Sequence, residues 1–108
     1  MMRVHLLTFD EFRTPRDLMI RIVDELHGVE DWLAFLPSAI AIISRHTAHE
    51  LSVALNVRRS GMTFVIAEID PLRADGQLPK PAWDFVNRVL PRDAGSAGVL
   101  PPFGMVES

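Results

Sequence analysis

The sequence predicts an α+β fold in which helices pack on one face of an antiparallel β-sheet. Short apolar runs suitable for strands alternate along the chain with two segments that have helical periodicity and clear start signals. A chain of 108 residues corresponds to one domain. Because 48% of the residues are hydrophobic, this domain can bury a sizeable core.

The first two elements are a strand and an amphipathic helix. The run "VHLLTF" predicts a strand over 4–9, ended by acidic residues. The next segment predicts a helix over 15–27, with Thr14 as the N-cap and Pro15 at the first helical position. Apolar residues then recur at helical spacing, and Gly28 supplies a stop signal.

The middle of the chain predicts a β-hairpin. Two apolar runs, 31–36 and 39–44, are separated by Pro37 and a serine. Proline cannot donate to a central ladder and is common in turns, so it marks the connection.

A second helix, a fourth strand and a third helix follow. The helix over 48–58 begins with Thr47 and Glu50, whose spacing is that of a capping box. The run "MTFVIAEI" predicts a strand over 62–69. The run "PAWDFVNRVL" predicts a helix over 81–90 that is opened by Pro81 and closed by Pro91.

This order of elements is that of the ferredoxin-like βαββαβ fold, with an appended C-terminal helix. We expect one domain over 1–91 that includes this helix. The segment 92–108 is rich in glycine and proline, and we expect an irregular tail there.

The strands do not alternate between apolar and polar residues as a half-exposed sheet should. Apolar residues fall on both faces of 4–9, 39–44 and 63–67. A large exposed apolar face is uncommon on a monomer, so the pattern favours a homodimer that buries the face left uncovered by the first two helices.

Composition excludes several classes of protein. The net charge of −3 does not indicate a broad nucleic-acid-binding surface. Without cysteine there is no disulfide framework and no thiolate chemistry. The longest apolar stretch is interrupted by Pro37 and is too short to cross a membrane, and the N-terminal apolar run is too short for a signal peptide. We therefore expect a cytoplasmic protein without a membrane partner.

The strings "LLTFD", "TAHEL", "FVIAEI" and "LPKPAWDFVNRV" lie in these elements. Together with the element order, they resemble the SinR-like group of small bacterial proteins over roughly residues 3–90. That group is related to the small ferredoxin-fold CRISPR adaptation protein, a dimer described as a metal-dependent nuclease and as a scaffold for spacer integration. The acidic residue that ends the first strand in the related family corresponds to Asp10. Phe9 replaces the common tyrosine, and the second strand lacks an arginine-plus-aromatic motif.

Asp10 is the candidate catalytic and metal-binding residue. It is followed by Glu11, and carboxylates suit a hard cation such as Mg²⁺ or Mn²⁺. We expect two copies of Asp10 to approach each other in a dimer and to share such an ion. The alternative interpretation is that these acids only end the strand.

Two histidines, His46 and His49, are spaced three apart beside Glu50. The spacing does not match the zincin motif, and His46 precedes the N-cap, so we interpret this segment as a helix start. With Arg45, Arg58 and Arg59 they form a basic cluster in the sequence. The arginines at the end of the helix also complement its dipole.

Three functions follow from these features. The first is a dimeric, non-catalytic interaction or regulatory module of the SinR-like and CRISPR-adaptation-like superfamily. The second is a metal-dependent ribonuclease or deoxyribonuclease that uses Asp10, in a toxin-like setting, with nucleic acid as the partner. The third is a ferredoxin-like domain that senses a small molecule. The one sequence feature in its favour is the "DGQ" loop at 75–77.

Overall fold

The computed structural model describes residues 1–89, which divide into two units, Met1–Ile69 and a second unit that begins at Asp70. The elements of the first unit are β1 (Arg3–Phe9), α1 (Arg16–Glu25), β2 (Val29–Leu36), β3 (Ala39–Ser44), α2 (Ala48–Arg58) and β4 (Phe64–Ile69). The described part of the second unit contains a 3₁₀ turn, Pro71–Arg73, and α3 (Lys80–Asn87).

The sequence predicted the type and order of these elements correctly, with small shifts at their ends. The predicted end of the last helix at residue 90, the domain boundary at 91 and the tail over 92–108 lie outside the described residues.

The four strands form one antiparallel sheet in the order β2-β3-β1-β4. The fold is therefore α+β, as predicted, with a four-stranded antiparallel sheet and three helices within the described residues. The central strands are β1 and β3, while β2 and β4 form the two edges.

Both helices of the first unit pack on the same face of this sheet. The strands contribute alternate residues to the core, and the helices add one apolar stripe each. The buried residues of this hydrophobic core are Leu7, Phe9, Met19, Ile22, Val23, Leu26, Ile40, Ile42, Leu51 and Leu55. By the same alternation Val4 and Leu6 of β1 lie on the opposite face, so β1 has apolar residues on both faces, as the sequence predicted.

The start of α1 differs from the prediction. Pro15, and not Thr14, is the N-cap, with φ −54° and ψ 147° and no side-chain cap. The first intrahelical bond runs from the Met19 N–H to the Pro15 carbonyl at 3.0 Å. Pro15 is extended and not helical, and Thr14 is buried in the preceding turn, with its N–H donating to the Asp10 carbonyl at 2.9 Å. The predicted cap was therefore wrong by one residue.

No helix within residues 1–89 has the length and apolar character that a membrane span requires.

Candidate functional site

Asp10 ends β1 and organises the turn that leads to α1. Its N–H donates to the Thr63 carbonyl at 3.1 Å, which extends the pairing of β1 with the β4 side. Its carboxylate Oδ1 accepts the Phe12 N–H at 3.0 Å, and its carbonyl accepts the N–H groups of Arg13 and Thr14. This is the local hydrogen bonding by which aspartate stabilises turns, so Asp10 has a structural role in the single chain.

The predicted metal site at Asp10 requires further ligands. Within residues 1–89, no group of three or more histidine, aspartate or glutamate side chains is placed to hold an ion. A site of the kind expected from the sequence would need the carboxylate of a second copy or several water ligands. The meeting of two Asp10 residues in a dimer stays a prediction.

The segment from Arg45 to Leu51 is a helix start, as the sequence predicted. Thr47 Oγ1 accepts the Glu50 N–H at 3.1 Å, and Glu50 Oε1 accepts the Thr47 N–H at 2.8 Å. The Thr47 N–H, and after it the Thr47 hydroxyl, hold the pKa of the Glu50 carboxyl group below its usual value of 4.5. His46 Nδ1 lies 3.6 Å from Glu50 Oε1, so this imidazole sits beside the capping box.

The basic residues around α2 do not form one patch. Arg45, His46 and His49 lie at its N-terminal end, whereas Arg58 and Arg59 lie at its C-terminal end. The helix has 11 residues, so the two groups are separated by about 16 Å along its axis. No continuous phosphate-binding surface follows from this arrangement.

A buried polar cluster at the other end of the sheet was missed by the sequence analysis. His5 of β1 is fully buried on the helix-covered face, and its Nε2 lies 2.9 Å from the His46 carbonyl. A carbonyl can only accept, so Nε2 carries the proton, and Nδ1 is left buried with no hydrogen-bond partner among the described residues. Burial lowers the pKa of His5 below 6.5, and the positive charge of Arg3 lowers it further. The hydrogen bond to His46 and the negative charge of Glu68 raise the pKa but do not outweigh burial.

The loop before α2 is fixed by Ser44 and Gly28. Ser44 Oγ donates to the Gly28 carbonyl at 2.6 Å and accepts the His46 N–H at 3.0 Å. Gly28 has φ +97°, and a Cβ atom at this position would collide with the His46 ring. The His46 ring therefore packs directly over the Gly28 backbone. The one sequence signal for the cluster was a histidine within the apolar run of β1.

The outer edge of the sheet at β4 is exposed. β4 pairs with β1 over six residues, from Phe9 with Phe64 to Val4 with Ile69, and no described strand lies on its other side. Val65 is 64% exposed and Ala67 is exposed, both on the face opposite α2. Glu68 lies on the helix-covered face, opposite His5, and forms an ion pair with Arg3 at 3.2 Å.

The comparisons with known proteins found no match for this chain among family models, curated proteins or solved structures.

Proposed function

We propose that the protein is a cytoplasmic interaction or regulatory module without catalytic activity, which has a ferredoxin-like fold and works as a homodimer. The fold assignment is supported by the element order and by the strand order β2-β3-β1-β4, with both connecting helices on one face. The resemblance of its motifs to SinR-like proteins agrees with this fold and with a dimer.

The observation that carries the proposal is the exposed β4 strand. A six-residue strand of sequence "FVIAEI" at the edge of a sheet offers apolar side chains and unpaired backbone groups. Val65 is 64% exposed, although it lies in the regularly paired part of the strand. Such an edge is a template for pairing with another chain, and a protein-binding role uses it directly.

The absence of catalysis is supported by the surroundings of Asp10. Its Oδ1 atom accepts the Phe12 N–H, and its backbone holds the same turn together. A carboxylate with this structural role is explained without metal chemistry. The second candidate function, a metal-dependent nuclease, is favoured by the place of Asp10 at the end of a central strand, and the two are separated by the cleavage assay discussed below.

The homodimer is tested by light scattering coupled to size-exclusion chromatography at micromolar concentration. We expect a mass of twice the 12.1 kDa chain, falling toward the monomer mass on dilution. A monomer mass at every concentration up to several hundred micromolar would overturn the proposal.

A further inference from the structure

The two edges of the sheet differ in how well they are protected. The pairing of β2 with β3 is irregular between Val29 and Asp31 and again between Leu33 and Leu36. Irregularities of this kind bend an edge strand and disfavour further pairing. The register of β4 with β1, in contrast, is continuous over all six residues.

The sequence of β4 does not protect its edge either. The strand contains no proline and no lysine, and Glu68 is its one charged residue. Its outward backbone N–H and C=O groups have no strand partner among the described residues. Among the described strands, β4 is therefore the edge at which an added strand would meet a regular ladder.

A second copy of the chain is the partner that this edge fits. Two identical edge strands that pair antiparallel are related by a two-fold axis, so each offers the other the same donors and acceptors. The alternative contact between copies, β4 against β2, would meet the irregular edge and would continue into an open filament. Pairing of β4 with β4 closes after two copies.

Charge complementarity supports the same arrangement. Arg59 directly follows α2 and precedes β4, while Glu68 lies near the other end of β4 on the face that α2 covers. Antiparallel pairing of two β4 strands brings the Arg59 end of one copy beside Glu68 of the partner subunit.

Arg59 and Glu68 are both available for this contact. Glu68 has a side chain that is 52% exposed and keeps room for a second cation beside Arg3. Arg58 is bound to Glu25 at 2.6 Å, whereas Arg59 is exposed and forms no ion pair within the described residues.

We propose that two copies pair along β4, antiparallel and about a two-fold axis, to form one eight-stranded sheet in which Arg59 of each copy contacts Glu68 of the other. This inference rests on the proposed homodimeric function and specifies its interface. The interface lies at the edge of the sheet and not at the uncovered face expected from the sequence, because Val4, Ala41 and Ile43 on that face are already buried within the chain.

Cysteine cross-linking of the full chain tests the contact directly, because the protein contains no cysteine of its own. We place single cysteines by Val65→Cys and Ala67→Cys, oxidise each variant and their mixture, and measure covalent dimer. Leu36→Cys is the matched control, since Leu36 is 47% exposed on β2, at the opposite edge of the sheet. We expect rapid disulfide formation in at least one of the three β4 samples and none in the control.

Charge reversal tests the ion pair. We expect Arg59→Glu and Glu68→Arg each to weaken the dimer about tenfold or more, because each reversed charge occurs twice in a symmetric interface. The double variant restores the dimer dissociation constant toward that of the wild type. Arg58→Glu, which breaks only the intramolecular pair with Glu25, leaves it unchanged, and Arg3→Gln controls for loss of the Arg3–Glu68 pair.

The outcomes separate this inference from the proposed function. Circular dichroism melting curves confirm that each variant is folded. A dimer that neither cross-links at residues 65 and 67 nor responds to the two charge reversals would overturn the β4 pairing and leave the homodimer intact. A wild-type chain that stays monomeric would overturn both the β4 pairing and the homodimer. An added peptide strand that binds β4 of such a monomer would leave an interaction module with a different partner.

Discussion

The Nε2 atom of His5 lies 2.9 Å from the carbonyl oxygen of His46, so a fully buried histidine in β1 holds the loop that begins α2. The His46 carbonyl needs a hydrogen-bond donor, and the neutral His5 ring supplies one with the proton on Nε2. Protonation of Nδ1 would place a charge and an unsatisfied donor in the interior, next to the Arg3–Glu68 pair.

The protein should lose stability as the pH falls from 7.5 to 5.5. The pKa of His5 is lower in the folded protein than its usual 6.5, mainly because of burial, so the unfolded chain binds more protons in this range. The free energy of unfolding then decreases with falling pH, by at most about 1.4 kcal/mol per pH unit for one proton. Urea denaturation followed by tryptophan fluorescence measures this slope.

His5→Gln tests whether His5 causes this pH dependence of the free energy of unfolding. It should unfold more easily at pH 7.5 but show a flatter pH dependence, whereas His49→Gln, at an exposed position, should keep the wild-type slope. The stabilising pKa shift of Glu50 acts below its usual value of 4.5 and so does not enter this window. An unchanged slope in His5→Gln would assign the titration to another group.

Gly28→Ala should destabilise the protein by about 2–3 kcal/mol, because the partly exposed His46 ring must move away from the new Cβ atom. Residue 28 has φ +97°, and the added Cβ atom would collide with the His46 ring. Gly61→Ala is the matched control, because its φ is +84° but nothing lies within 4 Å of the new atom. The control should lose only about 1–2 kcal/mol for the left-handed backbone.

A double-mutant cycle isolates the collision from the backbone effect. In a His46→Ala background, Gly28→Ala should cost no more than Gly61→Ala does in the wild type. If the two glycine substitutions cost the same in the wild type, the close approach of His46 is not significant for stability.

Thr47→Ala should lower the free energy of unfolding by about 1 kcal/mol, since it removes the acceptor for the Glu50 N–H. Ser60→Ala is the control. Ser60 lies beyond the C-terminal end of α2, so its substitution should have little effect. Chemical denaturation of both variants at pH 7 makes the comparison. An equal effect of the two substitutions would show that the capping box contributes nothing measurable.

These features differ in how far the sequence could predict them. The capping box was predicted correctly because both of its bonds join residues three apart in the chain. The role of His5 could not be predicted, because its partner is 41 residues away and the contact depends on the register of β1 with β3. The edge position of β4 likewise depends on the strand order, which no local pattern specifies.

The start of α1 and the role of Asp10 lie between these cases. Thr14 and Pro15 carry local signals for a helix start, but the φ that proline fixes suits both a helical and an extended residue. Pro15 is extended, with ψ 147°, so the helix begins one residue later than the local pattern predicted. The place of Asp10 at the end of β1 was predicted from the strand pattern. Its bond to the Phe12 N–H is as local as the capping box, but the same acidic residue also fits a metal ligand, so the sequence supported both interpretations.

Asp10 gives the last prediction, which concerns catalysis. We expect no cleavage of RNA or DNA by the wild-type protein with Mg²⁺ or Mn²⁺, because the carboxylate of Asp10 serves the β1–α1 turn. We also expect Asp10→Ala to lower the free energy of unfolding by about 1 kcal/mol through loss of that turn contact. Asp10→Asn retains an acceptor oxygen and should lose less. Metal-dependent cleavage by the wild type that disappears in both variants, while both remain folded, would establish the nuclease instead of the interaction module. Cleavage that persists equally in all three proteins would come from another site or a contaminant, and the stability difference between the two variants would still test the structural role of Asp10.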